Sequence, residues 1–148
     1  MTVLFRIVMM FVGYVWGCIA ASLVLALGTL TPQWNDLFVS LGMQSPQAQS
    51  AAMWTLVGFG AFVIFIVGFL PVLLVIVITE GFALRSVVVY GVIGGALALA
   101  MAYGLNFAGY VAPADVDIAR QREVFAAAGI AGGLVYWLFA GRRAGVWK

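Results

Sequence analysis

An all-α, polytopic membrane protein is what these 148 residues predict: four transmembrane helices in an antiparallel bundle, with both termini in the cytoplasm. Three observations carry that reading. Hydrophobic residues make up 66% of the chain and charged residues only 8%, where soluble domains carry about 25% charged. A soluble fold of this size could not cover so much apolar surface with so few charges, and the mean hydropathy of +1.17 agrees. The apolar residues also gather into four runs, 5–30, 53–79, 86–107 and 124–140, against the roughly 20 helical residues that a bilayer core requires. Finally, no Asp, Glu, Lys, Arg or Gln interrupts Ile7–Leu30, Met53–Thr79, Val87–Asn106 or Val124–Ala140. The whole chain, 1–148, reads as a single transmembrane domain.

The first run exceeds the 7–15 apolar residues of a signal-peptide core, so it reads as a true span. It carries Gly13, Gly17 and Ala21 at four-residue spacing. Small residues so spaced share one helix face and let two backbones approach closely. Cys18 lies within this run and reads as a small buried residue. In the loop that follows, "WNDLFVSLGM" predicts a short helix on the membrane surface, with Trp34 as an interface anchor.

The second run opens at Trp54, another anchor, and contains Pro71. Proline removes a backbone donor and frees the carbonyl of Val67, which predicts a kink. The kink reads either as an ordinary feature of a membrane helix or as a hinge. No Asp, Asn, Gln or Ser stands close enough to complete an ion site there. Phe59, Phe62, Phe65 and Phe69 recur at helical spacing and suit either lipid contact or a pigment or quinone tail. The turn "EGFALR" places Glu80 and Arg85 within reach of each other, a pairing worth about 0–1 kcal/mol at an exposed interface.

The third run repeats the small-residue pattern at Gly91 and Gly95, and at Gly94, Ala98 and Ala102. Its likeness to Gly13 and Gly17 suggests a faint two-plus-two duplication. The next loop holds "APADVDIARQREVF", in which Pro113, Asp115 and Asp117 mark a helix start. The fourth run is short and extends as helix back through Arg122. Ala128 and Gly132, and Gly129 and Gly133, give it two close-packing pairs. Tyr136 and Trp137 set its depth, and Arg142 and Arg143 hold its end in water.

Orientation follows from the basic residues. Arg6, Arg85, Arg142, Arg143 and Lys148 fall on one side of the predicted spans, and only Arg120 and Arg122 on the other. The positive-inside rule then places both termini in the cytoplasm.

Composition also excludes chemistry. There is no His and one Cys, which removes the commonest general base and haem ligand and any thiolate cluster. Asp115 and Asp117 alone make a poor divalent-cation site. Scattered basic residues and a net charge of +2 give no nucleic-acid footprint. Spans without charge argue against proton relays and charged-substrate carriers. No catalytic residue, metal ligand set or cofactor is named by these residues.

The stretch "GGLVYWLFAGRRAG", with "LPVLLVIVITEGFALRS", resembles small, functionally unassigned four-helix inner-membrane proteins of alphaproteobacteria. The resemblance implies a bacterial inner-membrane location and nothing catalytic. The sequence therefore points away from an enzyme. It favours lateral helix–helix contact, as an accessory or assembly subunit of a membrane complex or as a small self-associating bundle. The expected partners are the lipid bilayer and a membrane protein or a second copy of the chain. A small channel or neutral-solute transporter formed by an oligomer is one alternative. A membrane enzyme using the outer-loop acids Asp36, Asp115, Asp117 and Glu123 is the other.

Overall fold

A computed structural model of the chain describes residues 3–30, 38–42, 45–82, 85–104 and 118–143. Four long helices dominate: α1 (Val3–Leu30), α2 (Pro46–Gly81), α3 (Val87–Gly104) and α4 (Ile118–Phe139). A short 3-10 turn, Gly141–Arg143, closes α4. No strand occurs among the described residues. Leu4–Gly28, Pro46–Thr79 and Arg120–Phe139 are long and apolar enough to cross a membrane. The apolar helix Val87–Tyr103 is shorter. The 18 residues of α3 reach about 27 Å at about 1.5 Å per residue, close to the roughly 30 Å of a bilayer core.

Two boundaries differ from the sequence reading. α2 begins at Pro46, seven residues before Met53. Ser45 is the cause: its Oγ accepts a hydrogen bond from the Ala48 N–H at 3.2 Å, and its carbonyl accepts one from Gln49 N–H at 3.1 Å. Ser at the cap and Pro at the first helical position form a helix start that hydropathy cannot detect. The resulting 36-residue helix is about 54 Å long, well beyond a bilayer core. α4 likewise starts at Ile118, upstream of the apolar run. Within the predicted surface helix, residues 38–40 are helical and Gly42 adopts a positive φ of 70°. Trp34, the residues to 37 and Met43 of that segment lie outside the described residues.

The surface inverts that of a soluble protein. Phe5, Phe11, Phe62, Leu70 and Val92 are exposed, whereas Ser22, Thr79 and Gln121 are buried. α4 is central and packs against both α1 and α3. α2 packs against α1, and α2 and α3 hardly meet. The buried cluster centres on Tyr14, Cys18, Ala61, Tyr90 and Tyr136.

Candidate functional site

The glycines explain why α4 holds the centre. A methyl group at Gly17 would lie 3.0 Å from the Gly132 carbonyl oxygen, and one at Gly132 would lie 3.1 Å from the Gly17 carbonyl oxygen. Gly13 meets the Phe139 side chain at 3.2 Å in the same sense. On the other side, Gly129 faces Gly94 backbone to backbone, and Gly133 faces the Tyr90 carbonyl. Gly95 faces Ile130 at 3.0 Å, and Gly91 lies in ordinary contact with Ile130 and Leu134 at 3.7 Å. Successive helical residues point about 100° apart. Gly132 therefore serves α1 while Gly133 serves α3, and one run of small residues fits two neighbours.

Both ends of the α3–α4 seam are tied. The Trp137 indole N–H donates to the Arg85 carbonyl at 2.8 Å, just before α3 begins. At the far end the Arg122 guanidinium lies 5.1 Å above the Tyr103 ring, a cation–π contact. Arg142 Nε donates to the Leu138 carbonyl at 2.9 Å and caps the last turn of α4. Gly141 leaves room for the chain to fold beneath Trp137 and Tyr90. The two arginines after the aromatics thus begin with a helix cap. The backbone of Arg143 lies in the 3-10 turn, and its side chain falls outside the described atoms.

α2 is attached differently. Tyr14 donates its hydroxyl to the Phe65 carbonyl at 2.8 Å, and Ser22 donates to the Val57 carbonyl at 2.7 Å. Gly60 and Gly68 make room for those two side chains: a methyl at Gly60 would meet Ser22 Oγ at 2.5 Å and one at Gly68 would meet the Tyr14 hydroxyl at 3.3 Å. Both pairs are spaced by eight residues, so α1 and α2 match at two points. The phenylalanines of α2 divide by role. Phe65 packs on Tyr14 and Phe11, Phe69 packs on Phe65, and Phe59 and Phe62 stay exposed. α2 runs through Pro71 as one helix.

A cleft remains between α2 and α3. Its cavity of about 460 Å³ is lined by all four helices, with Leu25 of α1, Val63 and Val67 of α2, Leu97 of α3 and Phe125 of α4 on its walls. No Asp, Glu, Lys or Arg lines it among the described residues. Gln121, only 5% exposed, stands one turn before Phe125 on the same face of α4. Its Oε1 is the buried side-chain oxygen without a hydrogen-bond partner among the described residues.

Trp54 is 64% exposed at the opposite end of the helices from Trp137. Asp36, Asn106, Pro113, Asp115, Asp117 and Trp147 lie outside the described residues, as does the Glu80 side chain. No group of three or more His, Cys, Asp or Glu that could hold a metal occurs among the described residues. Cys18 is buried and free.

The cleft, the Tyr14 and Ser22 latches and Gln121 were missed in the sequence. Two signals were present: the matching eight-residue spacings of Tyr14/Ser22 and Gly60/Gly68, and Gln121 in register with Phe125, Ala128 and Gly132. Comparison with protein-family models, with curated proteins and with solved structures finds no match.

Proposed function

We propose that this chain is a multi-pass inner-membrane protein that works by lateral contact within the bilayer, as an accessory or assembly subunit of a membrane complex. In this reading the four helices form an antiparallel bundle with both termini in the cytoplasm. The meetings of Gly13 with Phe139 and of Gly28 with Val124 support the antiparallel course of α1 and α4. The resemblance in the last span and the five-to-two distribution of basic residues support the membrane and the orientation.

The observation that carries the reading is Gly58. It lies in the middle of α2, exposed, with nothing near the space a side chain would take. Glycine in a helix interior costs about 1 kcal/mol relative to alanine. The glycines of the α1–α4 and α3–α4 seams are matched by a close neighbour within the chain, and Gly58 is not. Ala51 and Thr55 continue its exposed face at four- and three-residue spacing, the pattern that admits a neighbouring backbone. A partner helix against that face supplies the reason for a glycine there. The apolar lining of the cleft weighs against a pore within one chain, because water and ions need polar groups along their path.

The test is native mass in mild detergent. Wild type is expected well above the 15.8 kDa of one chain, with a copurifying subunit, and Gly58→Leu is expected to run as the lone, folded chain. A wild-type monomer, or a complex that survives Gly58→Leu, ends the reading. A pure homo-oligomer lost in Gly58→Leu identifies self-association as the contact.

A further inference from the structure

We infer that the cleft between α2 and α3 is a binding site for one lipid chain, with the lipid's hydrogen-bonding head at the Gln121 end. Volume selects the occupant. A dry apolar cavity of about 150 Å³ admits one benzene ring, so about 460 Å³ accepts on the order of three times as many carbon atoms, about 18. That is one hydrocarbon chain.

The walls select the same chemistry. Lining groups that carry hydroxyls include Tyr14 and Ser22, and both donate to carbonyls of α2. Tyr90 and Tyr136 also line the cleft, and its aliphatic and aromatic surface offers dispersion contacts, which an empty cleft forfeits. Because α2 and α3 hardly meet, the cleft opens sideways between those helices, toward hydrocarbon in a bilayer. A chain enters laterally, without crossing water.

The end of the cleft selects the head. Gln121 Oε1 is buried and has no hydrogen-bond partner among the described residues, and a buried acceptor without a donor is costly. Phe125, Ala128 and Gly132 line the cavity, and helix register places Gln121 beyond its edge on the same face, about 6 Å past Phe125 along the axis. A hydroxyl on the head of the lipid supplies the missing donor. The ligand class is therefore a lipid with one long hydrocarbon chain and a hydroxylated head.

Monoolein is the probe, added to delipidated protein and read by native mass spectrometry. Wild type is expected to retain one molecule per chain. Leu97→Trp and, from the opposite wall, Val63→Trp are each expected to weaken retention at least tenfold. Gln121→Leu removes one hydrogen bond and is expected to weaken monoolein about fivefold. Methyl oleate has a comparable chain and no donor, and Gln121→Leu should leave its retention unchanged. Dioleoylphosphatidylglycerol forms a second arm: displacement of monoolein assigns the site to bilayer phospholipid, and failure to displace assigns it to a single-chain lipid. Absence of stoichiometric monoolein on wild type overturns the site. So does undiminished retention in both Trp variants at wild-type melting behaviour. Equal weakening of monoolein and methyl oleate in Gln121→Leu overturns the placement of the head. Should both Trp variants fail to fold, the two Gln121→Leu titrations decide alone.

Discussion

Gly133→Ala and Gly58→Ala make the same chemical change and should have opposite effects. Alanine is the better helix former by about 1 kcal/mol, and that gain is available at both positions. At Gly58 the new methyl enters open space, so the gain is kept. At Gly133 the methyl runs into the Tyr90 carbonyl group, with the Gly94 Cα 3.5 Å away. The obstacle is backbone in the first turns of α3, which cannot rotate aside as a side chain would. α3 must move bodily, and it is tied by Trp137 to Arg85 at one end and by Arg122 over Tyr103 at the other. Overpacking typically costs about 1–3 kcal/mol, and an obstacle of backbone argues for the upper part of that range. Net destabilisation at Gly133 is then about 1–2 kcal/mol, and the two variants differ by about 2–3 kcal/mol. At this chain length about 1 kcal/mol shifts a melting midpoint by roughly 3 °C, so the midpoints should separate by roughly 6–9 °C. The assay is loss of the monodisperse peak on heating in detergent, taken on the dissociated chain so that no contact at Gly58 enters. Gly133→Ala melting at or above wild type would refute the tight α3–α4 seam.

Three further outcomes follow from the same contacts. Tyr14→Phe and Ser22→Ala should each cost about 0.6 kcal/mol, the average for hydrogen bonds between membrane helices, and the double variant should melt lower than either; a double variant that melts like wild type removes the latch argument. A reporter active only in the cytoplasm should work when fused after Lys148 and stay silent when inserted at Gln44, and the reverse pattern inverts the proposed orientation. Replacing Asp115 and Asp117 together with Asn should leave membrane levels and any cellular phenotype nearly unchanged; complete loss of function at normal protein levels would restore the enzyme alternative.

The helical class was legible because composition and charge-free runs decide it with little dependence on detail. Gly13, Gly17, Gly95, Gly129 and Gly133 were legible for a related reason: close approach demands small residues at helical spacing, and that demand survives without knowing the partner. What spacing could not give is which helix each glycine faces. Gly132 and Gly133 differ by one position in the chain and by a whole neighbour in space. The start of α2 was hidden because its first turn, Pro46–Gln49, is polar, and only the cap at Ser45 marks it. The cleft was hidden for a deeper reason. It is a consequence of which helix pairs fail to meet, and a missing contact leaves no residue pattern. Gln121 fell just outside the apolar run, where a polar side chain draws no notice until its burial is known.

The unequal attachment of the helices links both proposals and keeps them separable. α1, α4 and α3 are joined by glycine seams in which backbone meets backbone, an arrangement that tolerates little displacement. α2 is held to α1 by two hydroxyl-to-carbonyl bonds and the aromatic contacts of Phe65 and Phe69, and it scarcely touches α3. The helix most free to yield is therefore α2, and its distance from α3 sets the width of the cleft. Residues 100° apart on a helix place Gly58 and Phe62 on one face and Val63 and Val67 on the other. A partner at Gly58 and a lipid chain beside Val63 would thus bear on opposite sides of the same movable helix. Gly58→Leu should abolish the protein contact without altering monoolein retention, and Val63→Trp should do the converse. Loss of both activities in either variant would mean that α2 itself had come away from α1, and the melting curve, lowered as in the Tyr14→Phe and Ser22→Ala pair, would show it.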